Sequence, residues 1–345
     1  MNKKEKIAIN GFGRIGRVTL RAWWERYRDR VDIVSLNTSG SMDIDGIAHL
    51  LKHDSVYGRF PAKIEALGPE KGEEIGRLLV GKRKIAVLAQ RNPKRIRWND
   101  YDVEVVLECT GVFLDRSAED HFKNGAQKVI ISAPPKDWTI PVFLLGVNAD
   151  CYKGERLISN GSCTTNAVAP LVKLIDKQFG FQECVVSTAH SYTASQNLVD
   201  KSHHDLRRAR AAAINIVPTG TGAAKTVVAT YPEAKGRFVA SAIRVPVVAG
   251  SYVNFVFKIG RGTTVDQLNS VMEEAAGGKL VGIVKVSYEP LVSTDIIGNS
   301  ASAVVDLPMT QVVSDDMIHI SAWYDNEYGY SCRLIELSCM VQEKK

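Results

Sequence analysis

Lys6-Ile7-Ala8-Ile9-Asn10-Gly11-Phe12-Gly13-Arg14-Ile15-Gly16-Arg17 runs a short apolar strand into a glycine-rich turn, and a helix-forming stretch from Val18 to Arg28 follows at once. A bare G-x-G-x-x-G also fits a merely tight turn. Strand, glycines and helix in this order favour a dinucleotide site. Gly11 makes the turn, Gly13 lets a pyrophosphate approach the backbone, and Gly16 lets the helix pack on the strand. Arg14 and Ile15 belong to the same cofactor loop.

The chain downstream supports this reading. Asp32-Ile33-Val34-Ser35-Leu36-Asn37 is the next strand, and its tip reads Asn37-Thr38-Ser39-Gly40. An NAD site places an Asp or Glu there to hold the ribose 2′-hydroxyl. Asp32 lies at the wrong end of the strand and Asp43 beyond the loop. Hydroxyls and open N–H groups suit a 2′-phosphate, so NADP is favoured, with NAD as the second acceptable dinucleotide. Val103 to Leu107 reads as a central parallel strand. It delivers Thr110 and Gly111 to its C-terminal end, where ligands bind in such sheets, and leaves Cys109 in the core. Met42 to Leu51 and Ala118 to Gly125 read as helices. Lys128 to Ile131 is a further strand with Ser132 at its end, and Val142 to Val147 and Arg156 to Ile158 complete the sheet. The alternation predicts a doubly wound α/β domain over residues 1–162.

The 345 residues suffice for two domains, and 45% hydrophobic with 24% charged residues is ordinary for a globular chain. A formal charge of +6 without a long Lys/Arg block suits small anions and gives no nucleic-acid arm. The opening Met-Asn-Lys-Lys-Glu-Lys lacks an apolar signal core, and no apolar run is long enough to cross a bilayer; a cytoplasmic protein is expected. Six cysteines without a C-x-x-C pair argue for free thiols and no metal site.

The second half centres on Ser159-Asn160-Gly161-Ser162-Cys163-Thr164-Thr165-Asn166, a loop that brings a thiol to the start of an apolar helix. Partial positive charge and unpaired N–H groups there favour a thiolate. From this run alone, a half-buried packing cysteine reads equally well. Pro170 predicts a kink, or a helix start slightly after the thiol. Cys184 to Ala189 is a strand delivering His190-Ser191-Tyr192-Thr193. A basic loop, Val199 to Arg210, precedes Pro218-Thr219-Gly220-Thr221-Gly222, which can hold an anion on N–H groups and hydroxyls. The alternating strands that follow predict an α+β domain with a flat antiparallel sheet over residues 163–325. A C-terminal helix over about 326–345 is expected to pack back on the first domain.

Gly11 to Gly16, Ser162-Cys163-Thr164-Thr165-Asn166, His190-Ser191-Tyr192-Thr193, Asp205 to Ala213 and Trp323-Tyr324-Asp325-Asn326-Glu327 together resemble the phosphorylating glyceraldehyde-3-phosphate dehydrogenase family, in order and over essentially the whole chain. The resemblance implies that Cys163 attacks the aldehyde as thiolate and that His190 serves as base. It implies reversible conversion of glyceraldehyde 3-phosphate and inorganic phosphate to 1,3-bisphosphoglycerate, in glycolysis or gluconeogenesis, usually by a homotetramer. Thr193 and Arg244 resemble the substrate phosphate site, with Ser195 where an Asp is common. Ser162, Thr164, Thr221 and Gly222 resemble the attacking-phosphate site, with Arg207 or Arg210 nearby. Asn326 resembles the residue holding the nicotinamide carboxamide, with Tyr330 beside it. Lys201-Ser202 resembles the NADP-using members in the loop that reaches a neighbouring subunit's adenosine ribose, and Arg91 lies where the family approaches that ribose. Ala167 replaces the family's usual second cysteine. An erythrose-4-phosphate dehydrogenase is the nearest alternative; a non-catalytic nucleotide- or RNA-binding relative is the other.

Overall fold

The structure is a computed structural model and describes residues 4–343. The chain forms two compact units. Met1–Phe143, Cys151–Gly161 and Ser331–Lys345 make the first; Leu144–Asp150 and Ser162–Tyr330 make the second.

In the first unit, β1 (Glu5–Asn10) leads into α1 (Arg14–Ala22), then β2 (Val31–Asn37) into α2 (Ile44–Lys52). A small hairpin, β3 (His53–Asp54) and β4 (Gly58–Arg59), precedes β5 (Ile64–Leu67), β6 (Glu74–Val80) and β7 (Arg83–Leu88). β8 (Val105–Glu108), β9 (Lys128–Ile131) and β10 (Leu157–Ser159) complete the series. The sheet runs β10-β9-β8-β1-β2-β7-β6-β5. Its pairs from β10 to β7 are parallel, and the β7-β6-β5 edge is antiparallel. β1 and β8 are neighbours whose following connections leave in opposite directions, the switch point at which such sheets open a ligand crevice. The strands there are fully buried, which is why they read as continuous apolar runs.

Local details differ from expectation. α1 begins at Arg14, immediately after the Gly13 N-cap, and passes into a π-helical turn over Trp23–Tyr27. The Ala118-to-Gly125 stretch is a 3₁₀ segment, Arg116–Asn124, capped by Asp115. Val142 makes only an isolated bridge to Ser159. The expected strand there fails because Asn148 Oδ1 captures the Leu144 N–H at 2.9 Å and Gly146 turns with φ +78°, folding the segment into a turn.

The second unit opens on α3 (Cys163–Phe179), followed by β11 (Phe181–Ser191), β12 (Val217–Thr219) and α4 (Ala223–Thr230). β13 (Phe238–Val245), β14 (Ser251–Ile259), α5 (Val265–Gly277), β15 (Val284–Ser287), β16 (Ala303–Asp306), β17 (Gln311–Val313) and β18 (Met317–Tyr324) follow. α6 (Tyr328–Glu343) ends the described chain. The sheet order is β12-β13-β11-β14-β18-β16-β15, with β17 on β18. Most pairs are antiparallel, but β11 with β13 and β15 with β16 are parallel, so the sheet is mixed. Long connections, not hairpins, join those two pairs: β12 and α4 lie between β11 and β13, and a 3₁₀ turn at Ser293–Ile296 lies between β15 and β16.

α3 begins at the thiol itself rather than after it, and continues through Pro170. Ser162 Oγ caps it by accepting the Thr165 N–H at 3.1 Å. Pro170 removes one helical bond, while Ala167, Val168, Ala169, Leu171, Val172 and Ile175 are completely buried and hold the helix. β11 alternates with Cys184, Val186, Thr188 and His190 on its buried face. From Ser331 onward α6 belongs to the first unit, where Tyr27 Oη donates to Glu336 at 2.5 Å and Lys128 donates to the Val341 carbonyl. Among the described residues no helix is long and apolar enough to cross a membrane.

Candidate active site

Two elements of the second unit bring Cys163 and His190 together. Cys163 opens α3, and His190 ends the buried face of β11; Cys163 Sγ lies 3.4 Å from His190 Nε2. Parallel pairing of β11 with β13 sets Arg244 directly opposite His190. Arg244 Nη1 lies 2.6 Å from His190 Nδ1 and donates to the Ser191 carbonyl at 2.9 Å. His190 Nδ1 also lies 2.7 Å from the Ser191 carbonyl, an acceptor; donating there leaves Nε2 as the lone pair that faces the sulfur. Burial, with the Arg244 and Arg208 cations, holds His190 down at about 3 against the raising pull of the Ser191 carbonyl. Burial also pushes the Cys163 thiol up, opposed by Arg244 and by hydrogen bonds from Thr164. Burial thus favours the neutral form of both groups. Arg244 keeps a buried Nε without a partner, a donor left for an anion.

The surrounding hydroxyls divide into inward and outward groups. Thr164 Oγ1 turns inward to Tyr324 Oη at 3.1 Å, and Tyr324 Oη continues to Thr188 Oγ1 at 2.9 Å. Ser162 Oγ is occupied as the helix cap, 2.8 Å from Thr165 Oγ1. These two hydroxyls, assigned to phosphate from the sequence, serve the fold: a buried hydroxyl needs a partner and finds one across the sheet. Thr193 Oγ1 and Ser195 Oγ are outward, 2.9 Å apart. Thr221 Oγ1 accepts from the Ala223 N–H where Gly222 caps α4. Arg207 lines a shallow cavity with Thr219 and Gly220, and Arg210 pairs with Asp200 at 2.8 Å. The missed arginine is Arg208. Its charge acts on both His190 and Arg244, and Thr219 Oγ1 accepts from its Nε at 2.9 Å. Three arginines within four positions gave no periodic signal to select it. Asn326 Oδ1 accepts from Ser191 at 2.8 Å and Ser251 at 3.0 Å, so its amide nitrogen is the end left over.

The first unit holds a cavity of about 680 Å³ at the switch point. Gly11, Gly13, Asn37, Thr38, Ser39, Arg91 and Thr110 line it, as do Arg17, Ser41, Gln90 and Cys109, which the sequence did not single out. Cys109 was expected in the core. Its thiol is nonetheless pushed up by burial to about 12. The glycines test the fit of a dinucleotide. A Cβ on Gly11 would strike the Thr110 backbone at 2.6 Å, and one on Gly16 the Gly11 carbonyl at 2.2 Å. A Cβ on Gly13 would meet nothing within 4 Å. Packing within the chain explains two glycines; the third leaves space for a ligand to reach the backbone. No side chain caps α1, so its first N–H groups face that ligand, as a pyrophosphate requires.

Six further residues were assigned to the cofactor from the sequence. Arg14 is clamped by Asp54 at 2.6 and 3.1 Å, which ties the β3–β4 hairpin to α1. Asn37 reaches the cavity, but its amide is spent on Asn10 at 2.7 Å and on the Gln90 backbone at 2.8 and 2.9 Å. Gly111 and Ser132 do not line the cavity; Gly111 instead supplies a left-handed turn at φ +70°. Lys201 and Ser202 are exposed on a loop of the second unit. No carboxylate lines the cavity.

Known proteins resemble the chain throughout. The family model for the glyceraldehyde 3-phosphate dehydrogenase NAD binding domain matches residues 5–116, and that for the C-terminal domain matches residues 162–326. Glyceraldehyde-3-phosphate dehydrogenase A, chloroplastic, of Chlamydomonas reinhardtii is 43% identical over 344 residues, covering 99% of this chain and 90% of that protein. The protein of the same name from Nicotiana tabacum is 45% identical over 340 residues, covering 98% and 84%. Glyceraldehyde-3-phosphate dehydrogenase 2 of Synechocystis is 42% identical over 339 residues, covering 97% and 98%. The chloroplastic names of these relatives overturn the cytoplasmic expectation. Two family models spanning most of the chain and relatives above 40% identity over nearly all of it place this protein in the glyceraldehyde-3-phosphate dehydrogenase family.

Proposed function

We propose that the chain catalyses the reversible phosphorylating oxidation of glyceraldehyde 3-phosphate to 1,3-bisphosphoglycerate, using NADP in preference to NAD. The 3.4 Å contact of Cys163 with His190, beside Arg244 and Arg208, carries the reading. A bound nicotinamide supplies the hydride acceptor. The chain's own groups do the rest. An anionic substrate phosphate on Arg244 offsets the cation that suppresses His190, which makes the imidazole a stronger base once substrate is present. Cys163 Sγ bonds the aldehyde carbon, and His190 takes the proton of the resulting hydroxyl as the carbon is oxidised. The acyl group stays on Sγ until inorganic phosphate, held by the Arg208 region, attacks the carbonyl and releases the thiolate.

NADP preference rests on the cavity mouth. Thr38, Ser39, Ser41 and Arg91 line it without a carboxylate, and Arg91 Nε donates to the Ser39 carbonyl at 3.1 Å, anchoring a cation there. A 2′-phosphate finds hydroxyls and a guanidinium; a bare 2′-hydroxyl loses its usual acid partner. A neighbouring subunit's Lys201 and Ser202 would add to this in the homotetramer we also propose. The exposed ladder Val239–Val185–Val256, in direct register across three strands, gives the second unit an apolar surface to cover. The test is one assay series: dinucleotide reduction with glyceraldehyde 3-phosphate, NADP competed against NAD, with and without inorganic phosphate. Phosphate-dependent turnover with a lower Michaelis constant for NADP is expected. No turnover by folded, reduced protein defeats the enzymatic reading; phosphate-independent turnover defeats the acyl-phosphate step.

A further inference from the structure

Beneath the dinucleotide cavity lies a buried polar cluster that the reaction does not use. Glu108 and His121 are completely buried, as is Trp98. Trp98 Nε1 donates to His121 Nδ1 at 3.0 Å. Indole N–H only donates, so Nδ1 accepts and the imidazole hydrogen sits on Nε2, which faces Glu108 Oε2 at 3.1 Å. Asn10 Nδ2 donates to the same oxygen at 2.5 Å. The other oxygen, Oε1, takes the Thr110 N–H at 2.8 Å and the Thr110 hydroxyl. Four donors therefore saturate one carboxylate. Two of its partners, Asn10 and Thr110, line the cavity; His121 does not. Phe113, which also lines it, meets the His121 ring edge-on at 6.4 Å.

We propose that His121 is a positioning residue for the dinucleotide site, acting through Glu108 to fix Thr110 and Asn10. This rests on reading the cavity as a dinucleotide site. Glu108 sits at the C-terminal end of β8, where two oxygens have to be aimed simultaneously at β1 and at the Thr110 turn. Trp98 locks the tautomer of His121, His121 fixes one oxygen of Glu108, and the carboxylate plane then sets the other. The consequence at the cavity is a polarity. Thr110 gives its hydroxyl hydrogen to Glu108 and accepts the Val112 N–H at 3.1 Å. The remaining lone pair can only accept, so Thr110 presents an acceptor to the ligand. It therefore selects a ribose hydroxyl or an amide N–H and repels a phosphate oxygen, which leaves the pyrophosphate to the α1 N-terminus.

The test measures dinucleotide dissociation constants by fluorescence titration of the full chain, beside steady-state kinetics and the alkylation rate of Cys163 without cofactor. His121→Leu breaks both ring bonds and is expected to weaken dinucleotide binding about tenfold, the scale of losing a buried bond to a charged group. The dinucleotide Michaelis constant should rise in parallel, while kcat at saturation, the aldehyde Michaelis constant and Cys163 alkylation stay within about twofold. His121→Gln can accept from Trp98 and donate to Glu108, and should recover binding to within about threefold of wild type. Trp98→Phe, which frees only the tautomer lock, should weaken binding by about threefold and serves as the decisive variant if His121→Leu does not fold. Unchanged dinucleotide affinity in a folded His121→Leu, unchanged affinity in Trp98→Phe, or a Gln variant as impaired as Leu overturns the proposal. A wild-type chain that binds no dinucleotide fails earlier, on the functional reading itself.

Discussion

Single side chains decide the chemistry, and their assignments are separable by substitution. Cys163→Ser should abolish aldehyde oxidation, because a serine hydroxyl beside a suppressed imidazole is not ionised. His190→Asn should lower kcat by about 10²- to 10⁴-fold while leaving dinucleotide affinity unchanged. Among the arginines of the basic loop, Arg208→Ala should raise the Michaelis constant for inorganic phosphate far more than Arg207→Ala. The former's charge acts on both His190 and Arg244. Equal effects of the two would return the phosphate site to the exposed arginine. At the cavity mouth, Thr38→Asp should raise the Michaelis constant for NADP much more than that for NAD, since it restores the missing acid and repels a 2′-phosphate. Equal shifts would remove the basis for the cofactor preference.

At the scale of elements, the antiparallel edge of the first unit depends on Glu74, which opens β6. Burial opposes its charge, but Arg77 at 2.6 and 2.9 Å, the Glu70 N–H at 2.8 Å and Tyr101 at 3.0 Å hold its carboxyl down at about 2. A folded-state value below the unfolded one stabilises the fold at neutral pH, and that contribution disappears as the pH falls from about 4.5 to about 2. Its size is on the order of 3 kcal/mol. Glu74→Gln should lower the urea midpoint at pH 7, and the gap from wild type should close by pH 2; a gap constant with pH would mean that the ion pair contributes nothing. On the other unit, alternation along β11 leaves Val185 54% exposed between Val239 and Val256. Val185→Asp puts a charge at the centre of this stripe. It should shift sedimentation toward smaller species if copies of the chain cover that face, and leave sedimentation unchanged if they do not.

For the whole molecule, a ligand that binds only the folded state stabilises it by mass action, by about 2.7 kcal/mol at a hundred times its dissociation constant. NADP should therefore raise the melting temperature more than NAD at equal concentration, and an absence of any shift with either would argue against the cavity as their site. The doubly wound sheet was legible in the sequence, because Lys6 to Gly16 and Val103 to Gly111 carry strand, turn and ligand-facing end within a few residues of one another. The second unit was legible as strands and helices, but its two parallel pairs were not, since pairing partners are chosen by chain segments tens of residues apart. The reactive pair was readable as residue types; its geometry required the register that sets Arg244 against His190. Thr164 facing Tyr324, Asn37 committed to Asn10 and Gln90, Arg208 rather than its neighbours near His190, and the Trp98–His121–Glu108 chain had no local signal. The sequence alone determined what its short-range periodicities and turn chemistry dictate: a doubly wound fold, a cysteine at a helix start and a histidine at a strand end. Tertiary structure alone decided where each polar side chain points, because a buried donor or acceptor is satisfied by whatever packing brings beside it from elsewhere in the chain.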